Sequence, residues 1–246
     1  MHFSTLLSLA ALAATVAASN STSTNGTSTS SASSSASSSS STSSSGSGVK
    51  VVVKNQCGYD LTVSKLTNGQ SSGQSASVPQ GSSKTYPLDN TWEGRFWART
   101  ECSGDDCQVA GASDPASLAE FRFRGSGGED YYDISFVDGF NLPISITPID
   151  GQGSCGSPTC STLPSCPDDM KITENGKFSS CQSACSKYNT DEYCCTGSHD
   201  STSACSASSY SKAVKDDCPN AYSYAYDDAT STYSCVAEGY NVIFCP

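Results

Sequence analysis

The chain has 246 residues, a formal net charge of −11, 14 cysteines and only two histidines. So acidic a balance argues against nucleic acid as a partner and is unhelpful for binding anionic lipid, since both need a basic surface. With histidine this scarce, Ser-His-Asp and Cys-His catalysis and His-rich metal sites are excluded, which leaves carboxylates as the only catalytic groups in quantity.

Residues 1–18, MHFSTLLSLAALAATVAA, form a short apolar run ending in small residues before Ser19, the pattern of a secretory signal peptide. It lacks a basic n-region, which is atypical, and it is too short to span a membrane. Residues 19–48 are almost wholly Ser and Thr with Gly, Ala and Asn. They offer no apolar surface against the entropy of ordering, so a disordered stalk is expected. Asn20-Ser21-Thr22 and Asn25-Gly26-Thr27 make Asn20 and Asn25 the expected N-glycan sites in a secreted chain. No integral membrane segment and no lipid-anchor tail is expected.

Every charged residue and every cysteine lies in 49–246. A stretch of this size buries roughly 70% of its unfolded surface, enough for a real core. An even cysteine count in a secreted chain argues for complete disulfide pairing. The spacings Cys102-x4-Cys107, Cys155-x4-Cys160, Cys181-x3-Cys185 and Cys194-Cys195 are not those of zinc knuckles.

Short β-branched or alternating runs follow one another: 50–54, 59–63, 83–88, 95–100, 119–123, 132–136 and 142–147. Asn68-Gly69, Pro79-Gln80-Gly81, Gly125 to Gly128 and Asp138-Gly139 supply turns between them. This spacing predicts a β-sandwich or barrel. From Cys155 the character changes: eleven cysteines lie between Cys155 and Cys245, and strands become hard to find. Short helices are expected over 177–187 and 208–217, and 240–244 reads as a last strand.

The segments VVVKNQCGYDLTV, RFWARTEC, SLAEFRFRG, DYYDISFVDGFNLPISITP, EYCCTG, CPNAYSYAYDDATSTYSC and YNVIFCP resemble thaumatin-like proteins of the pathogenesis-related group 5 type. They do so in order across 49–246. The resemblance implies a mainly β fold, a flattened β-sandwich of about eleven strands. A small disulfide-rich lobe over about 155–235 and an acidic cleft between the two parts are implied with it. It also implies the pairs Cys57–Cys245, Cys102–Cys107, Cys155–Cys235, Cys160–Cys218, Cys166–Cys181, Cys185–Cys194 and Cys195–Cys205. The loop GDDCQVAGASDPASLAE is shorter than in many plant members and lacks one of their disulfides, which reduces one border of the cleft. The Ser-rich stalk departs from the usual pattern and fits a fungal wall setting.

The family's cleft motif is one Arg, one Glu and three Asp. Matched segment by segment it falls on Arg95, Glu120, Asp133, Asp138 and Asp227. Glycoside hydrolysis needs one carboxyl as acid and a second carboxylate as nucleophile or base. Glu120 is the expected acid, Asp138 or Asp133 its partner, and Arg95 and Asp227 the groups that contact sugar. Two plain alternatives stand beside this. Glu120 shares a strand face with Arg122 and Arg124, so a surface ion pair explains it equally well. Asp133 and Asp138 are an odd number apart and converge only if Val137-Asp138-Gly139 turns the chain. Tyr132 and Phe140 are read as core rings before sugar platforms.

The doublets Asp105-Asp106, Asp168-Asp169 and Asp227-Asp228 lack the spaced calcium-loop pattern, so no metal and no cofactor is expected. The expectation is a secreted, monomeric protein of the cell wall or extracellular space whose partner is a polysaccharide, β-1,3-glucan. Slow endo-hydrolysis and binding without turnover both remain open, as does antifungal or membrane-perturbing action.

Overall fold

The computed structural model describes residues 48–246. The signal segment, Asn20, Asn25 and all of the stalk except Gly48 lie outside the described residues. Fifteen strands and four α-helices follow in chain order.

One sheet gathers both ends of the described chain. β1 (Val49–Asn55) buries alternate residues, and its Val51 and Val53 have no exposed surface. It runs parallel to β15 (Gly239–Phe244) and antiparallel to β4 (Ser83–Leu88). β9 (Ile144–Ile149) pairs with β15, and β10 (Thr159–Cys160) closes the order β10-β9-β15-β1-β4. Just beyond β1 and β15, Cys57 and Cys245 are disulfide-bonded at a Cα–Cα distance of 5.0 Å.

The second sheet has the order β13-β7-β6-β5-β2-β3. These strands are Ala221–Tyr222, Asp130–Ser135, Leu118–Arg122, Glu93–Arg99, Leu61–Thr67 and Gln74–Val78. β14 (Tyr233–Cys235) also pairs with β7. Alternation sends Phe96, Phe121, Tyr132 and Ile134 into the core, where they meet Ile144, Ile146, Val242 and Phe244 of the first sheet. Tyr240 lies at the centre, 4.9 Å from Tyr132 and 5.7 Å from Phe123 between ring centroids. Its hydroxyl donates to the buried carboxyl group of Asp130 at 3.0 Å, which fixes that polar group at the edge of an aromatic core.

Residues of opposite parity on β5 and β6 face away from this core. There Trp97 and Leu118 pack with Ala110 and Ala116 of the intervening loop to make a second, small apolar cluster. Arg99 pins that loop, donating to Val109 O and Asp114 O and pairing with the Asp114 carboxylate at 2.8 Å.

The lobe departs from the sequence expectation. Lys177–Gln182 is not helical but a strand, β12, which pairs with β11 (Lys171–Glu174) on one side and β8 (Gly139–Phe140) on the other. Only Ala184–Tyr188 is helix (α1), capped by Ser183, whose Oγ accepts from Ser186 N. The backbone partners offered by Phe140 and the Cys166–Cys181 bond decide the conformation here; local helix propensity is a weaker force. α2 is Asp191–Cys194 and α3 is Ser209–Asp217, the latter capped by Ser208 and close to the expected 208–217. α4, Asp228–Ser231, was not foreseen. Strands are also present where the sequence showed few. The excess over about eleven comes from the short β8, β10, β13 and β14. β3 is an exposed polar edge strand whose segment, QSASV, carries almost no apolar signal in the sequence.

The remaining disulfides are Cys102–Cys107, Cys155–Cys235, Cys160–Cys218, Cys166–Cys181, Cys185–Cys194 and Cys195–Cys205. No described cysteine is free.

Candidate functional site

Three residues of the expected motif form one line across the outward face of the second sheet. Arg95 on β5 is in register with Glu120 on β6, and Glu120 is in register with Asp133 on β7. Directly opposed side chains on neighbouring strands have Cβ atoms about 5 Å apart. The sheet itself therefore sets a guanidinium beside a carboxyl, and that carboxyl beside another.

Asp138 reaches this line through a turn. β7 stops at Ser135, Phe136 N donates to Tyr222 O, and Gly139 N donates back to Phe136 O at 3.0 Å. Gly139 has φ of 127°, and a Cβ there would stand 2.0 Å from Cys181 O, so only glycine fits. Ser186 Oγ donates to Asp138 O at 2.6 Å and fixes the turn against the lobe. The odd spacing between Asp133 and Asp138 is thus resolved, and Asp138 interacts electrostatically with Arg95 and Glu120. The loop before β6 borders the site. Arg95 Nη2 donates to Ala110 O at 2.9 Å, and Asp138 Oδ2 lies 3.9 Å from where a Cβ of Gly111 would be.

All three carboxyls hold their protons more tightly than usual. Burial raises Glu120, with a further push from Asp138, against the opposing pull of Arg95 and of a hydrogen bond from Ser135. Burial also raises Asp133, well above the ordinary carboxylate range, and the charges of Glu120 and Asp228 add to it. Asp138 is raised by burial and partly restored by Arg95. These are the two causes expected when carboxyls share a poorly solvated site.

Access separates the three. Asp133 is only 7% exposed, whereas Glu120 and Asp138 are half-buried. Among the described residues, neither Asp133 Oδ1 nor Arg95 Nε has a hydrogen-bond partner. The cation that bears on Glu120 is Arg95, opposite it on β5. Arg122 lies 3.7 Å from Glu93, and Arg124 has left the strand with φ of 51°. Tyr132 and Phe140 are core rings, at 0% and 2% exposure.

Asp227 is engaged elsewhere. Its carboxylate pairs with Lys215 at 3.1 Å, accepts from Ser223 N and Oγ, and accepts from Thr230 Oγ1. It is the adjacent Asp228 whose charge bears on Asp133. Sequence reasoning missed Asp228, Tyr222 and Ser135. The Asp227-Asp228 doublet was visible, but nothing in it separated the roles of its two members. Among the described residues no group of three or more His, Cys, Asp or Glu is arranged for a metal, and no helix is long and apolar enough to cross a membrane.

Several known proteins are similar to this chain. A pathogenesis-related thaumatin-like protein 3.5 of Cryptomeria japonica is 41% identical over 213 residues, covering 78% of this chain and 88% of its own. A protein of Prunus avium named glucan endo-1,3-beta-glucosidase is 39% identical over 217 residues, covering 78% and 89% respectively. In structure, a laminaripentaose-producing beta-1,3-glucanase in complex with laminaritetraose aligns with a TM-score of 0.60 at 10% identity, over 81% of this chain and 99% of that one. At that identity the likeness speaks to the fold alone. The profile of the Thaumatin family matches residues 55–246, and with relatives this similar the chain belongs to the thaumatin family.

Proposed function

We propose that the protein binds β-1,3-glucan over Arg95, Glu120 and Asp138 and hydrolyses it slowly as an endo-glucanase. The observation that carries this reading is the meeting of two half-buried carboxyls, Glu120 and Asp138, around one guanidinium. Glu120 is the general acid. Burial keeps its proton available to the leaving glycosidic oxygen, while Ser135 holds its orientation. Asp138 is the second carboxylate. Arg95 favours its ionised form, so it serves as the nucleophile or as the base that activates water. Asp133 is too buried to touch a polymer and acts on Glu120 through the field. The Prunus avium relative's name agrees with this substrate class. A long polymer needs an open site, which suits half-exposed carboxyls on a sheet face better than an enclosed cavity.

The same reading places the protein outside the cell. Complete disulfide pairing fits an oxidising compartment. Residues 1–18 are the proposed signal and 19–48 a proposed glycosylated stalk. The deciding experiment is reducing-sugar release from soluble and insoluble β-1,3-glucan at mildly acidic pH, alongside pull-down on the insoluble polymer. Release that disappears in Glu120→Gln supports the enzyme. Retained pull-down without release reduces the function to glucan binding, and the loss of both removes the proposal.

A further inference from the structure

Two adjacent carboxylates, Asp227 and Asp228, stand between β13 and β14 in different surroundings. Asp227 is saturated: Lys215 at 3.1 Å, two donors from Ser223 at 3.0 Å each, and Thr230 Oγ1 at 3.1 Å occupy it. Lys215 in turn donates to Ala221 O and Ser231 Oγ, which makes this a strut between α3 and the loop. Asp228 is half-buried, and its Oδ1 accepts from the hydroxyl of Tyr222 at 2.9 Å.

Tyr222 leads from this loop to the acidic line. It lies on β13, which pairs in parallel with β7 at Ile134 and Ser135. The sheet order β13-β7-β6 therefore puts Tyr222 and Glu120 on opposite sides of the strand that carries Asp133. The hydroxyl of Tyr222 is also hydrogen-bonded to Thr232 Oγ1, so the ring is held from two directions. Asp133, nine-tenths buried, presents its Oδ1 with no partner among the described residues.

We propose that Asp228, and not Asp227, is the carboxylate this loop contributes to the acidic site, as a positioning residue that acts on Asp133 from the Tyr222 side. The inference rests on reading the Arg95–Glu120–Asp133 line as the functional site. The groups facing Asp133 are Glu120 from β6, Tyr222 from β13 and Asp228 at the start of α4, with Arg95 beyond Glu120. Burial, with Glu120 and Asp228 adding to it from the two flanks, makes Asp133 hold its proton more tightly, and Tyr222 is itself held from ionising by burial and by Asp133 and Asp228. A neutral Asp133 places no added charge beside Glu120, which leaves Arg95 and Asp138 as the charges that act on its proton. Asp228 thereby helps decide how many protons the site holds when a sugar arrives.

The test follows the Asp133 carboxyl carbon by NMR as a function of pH in the sugar-free full-length protein, with Asp133→Asn identifying the resonance. Asp228→Asn, which keeps an acceptor for the Tyr222 hydroxyl, is expected to lower the Asp133 midpoint by about one pH unit. Asp227→Asn is expected to leave that midpoint in place and to lower the unfolding temperature, because Lys215 loses its counter-charge. Should that variant fail to fold, Lys215→Gln with Asp227→Asn removes both charges and takes its place. A midpoint that stays put in Asp228→Asn, or that moves equally in the Asp227 variant, overturns the assignment. The titration needs no substrate, so its outcome is separate from glucan release and pull-down, which judge the functional reading on their own.

Discussion

Glu120 and Asp133 are directly opposed on neighbouring strands, with Arg95 opposed to Glu120 on its other side. Like charges facing each other across a ladder destabilise a sheet. This pair persists because burial and proximity leave the line partly protonated. The arrangement is costly as structure, and on the proposed reading it is what supplies the chemistry.

Glu120→Gln keeps the size of the side chain and removes its proton. Sugar release is expected to fall by about 10²–10⁴-fold, with pull-down on insoluble glucan retained. Asp138→Asn is expected to behave likewise, since it removes the second carboxylate. Rates within threefold of the parent in either variant would show that the carboxyl is not catalytic.

Stability should carry the mark of Asp133. Its proton is bound more tightly in the folded state, so the folded chain binds more protons than the unfolded chain above the ordinary Asp value of about 3.9. The free energy of unfolding then declines as pH rises through that window, while below it the contribution is complete. Asp133→Asn removes the decline, and its advantage over the parent should grow between pH 4 and pH 8. Urea melts at several pH values measure this directly, and parallel curves for the two proteins would contradict the raised affinity.

Gly139 is the hinge on which Asp138 depends. Gly139→Ala sets a Cβ 2.0 Å from Cys181 O at φ of 127°, and is expected to cost about 3 kcal/mol or more. Gly81→Ala is the control, since its φ of 71° is strained but nothing lies within 4 Å of the added Cβ. About 1–2 kcal/mol is expected there. Equal costs, measured by thermal or urea unfolding, would mean that the contact with the lobe is not what holds the turn.

The Cys57–Cys245 bond spans a sequence separation of 188 and ties the loops beyond β1 and β15. Replacing both cysteines by Ser is expected to cost about 5 kcal/mol in the chain-entropy account. The change removes no residue of the acidic line, so glucan pull-down by the fraction that remains folded should be unaltered. A loss below about 2 kcal/mol would show that the parallel pairing of the two strands already restrains the unfolded chain.

Much of the fold was legible because its strands are short, alternating and separated by Gly, Asn and Pro turns; 83–88 matches β4 end to end. The first half of the lobe was not. Lys177–Gln182 reads as the start of a helix until Phe140 and Gly139 supply a strand to pair with. Polar Gln74–Val78 became an edge strand only because β2 lay beside it. In the site, Arg95, Glu120 and Asp133 were named from their segments, but nothing local places Arg95 opposite Glu120. That juxtaposition is a matter of strand order.

The sequence by itself determined the composition of this protein's chemistry: acidic, almost without histidine, with all its cysteines in one folded segment and a run of short strands. Those properties belong to side chains one at a time or to patterns within a few residues. Tertiary structure alone decided which carboxyls share a proton-retaining face, that a glycine turn brings Asp138 back to it, and that Asp227 serves as a strut while Asp228 bears on Asp133. Electrostatic interaction depends on distance and on exclusion of water, and both are set by residues far apart in the chain that the sheet brings side by side.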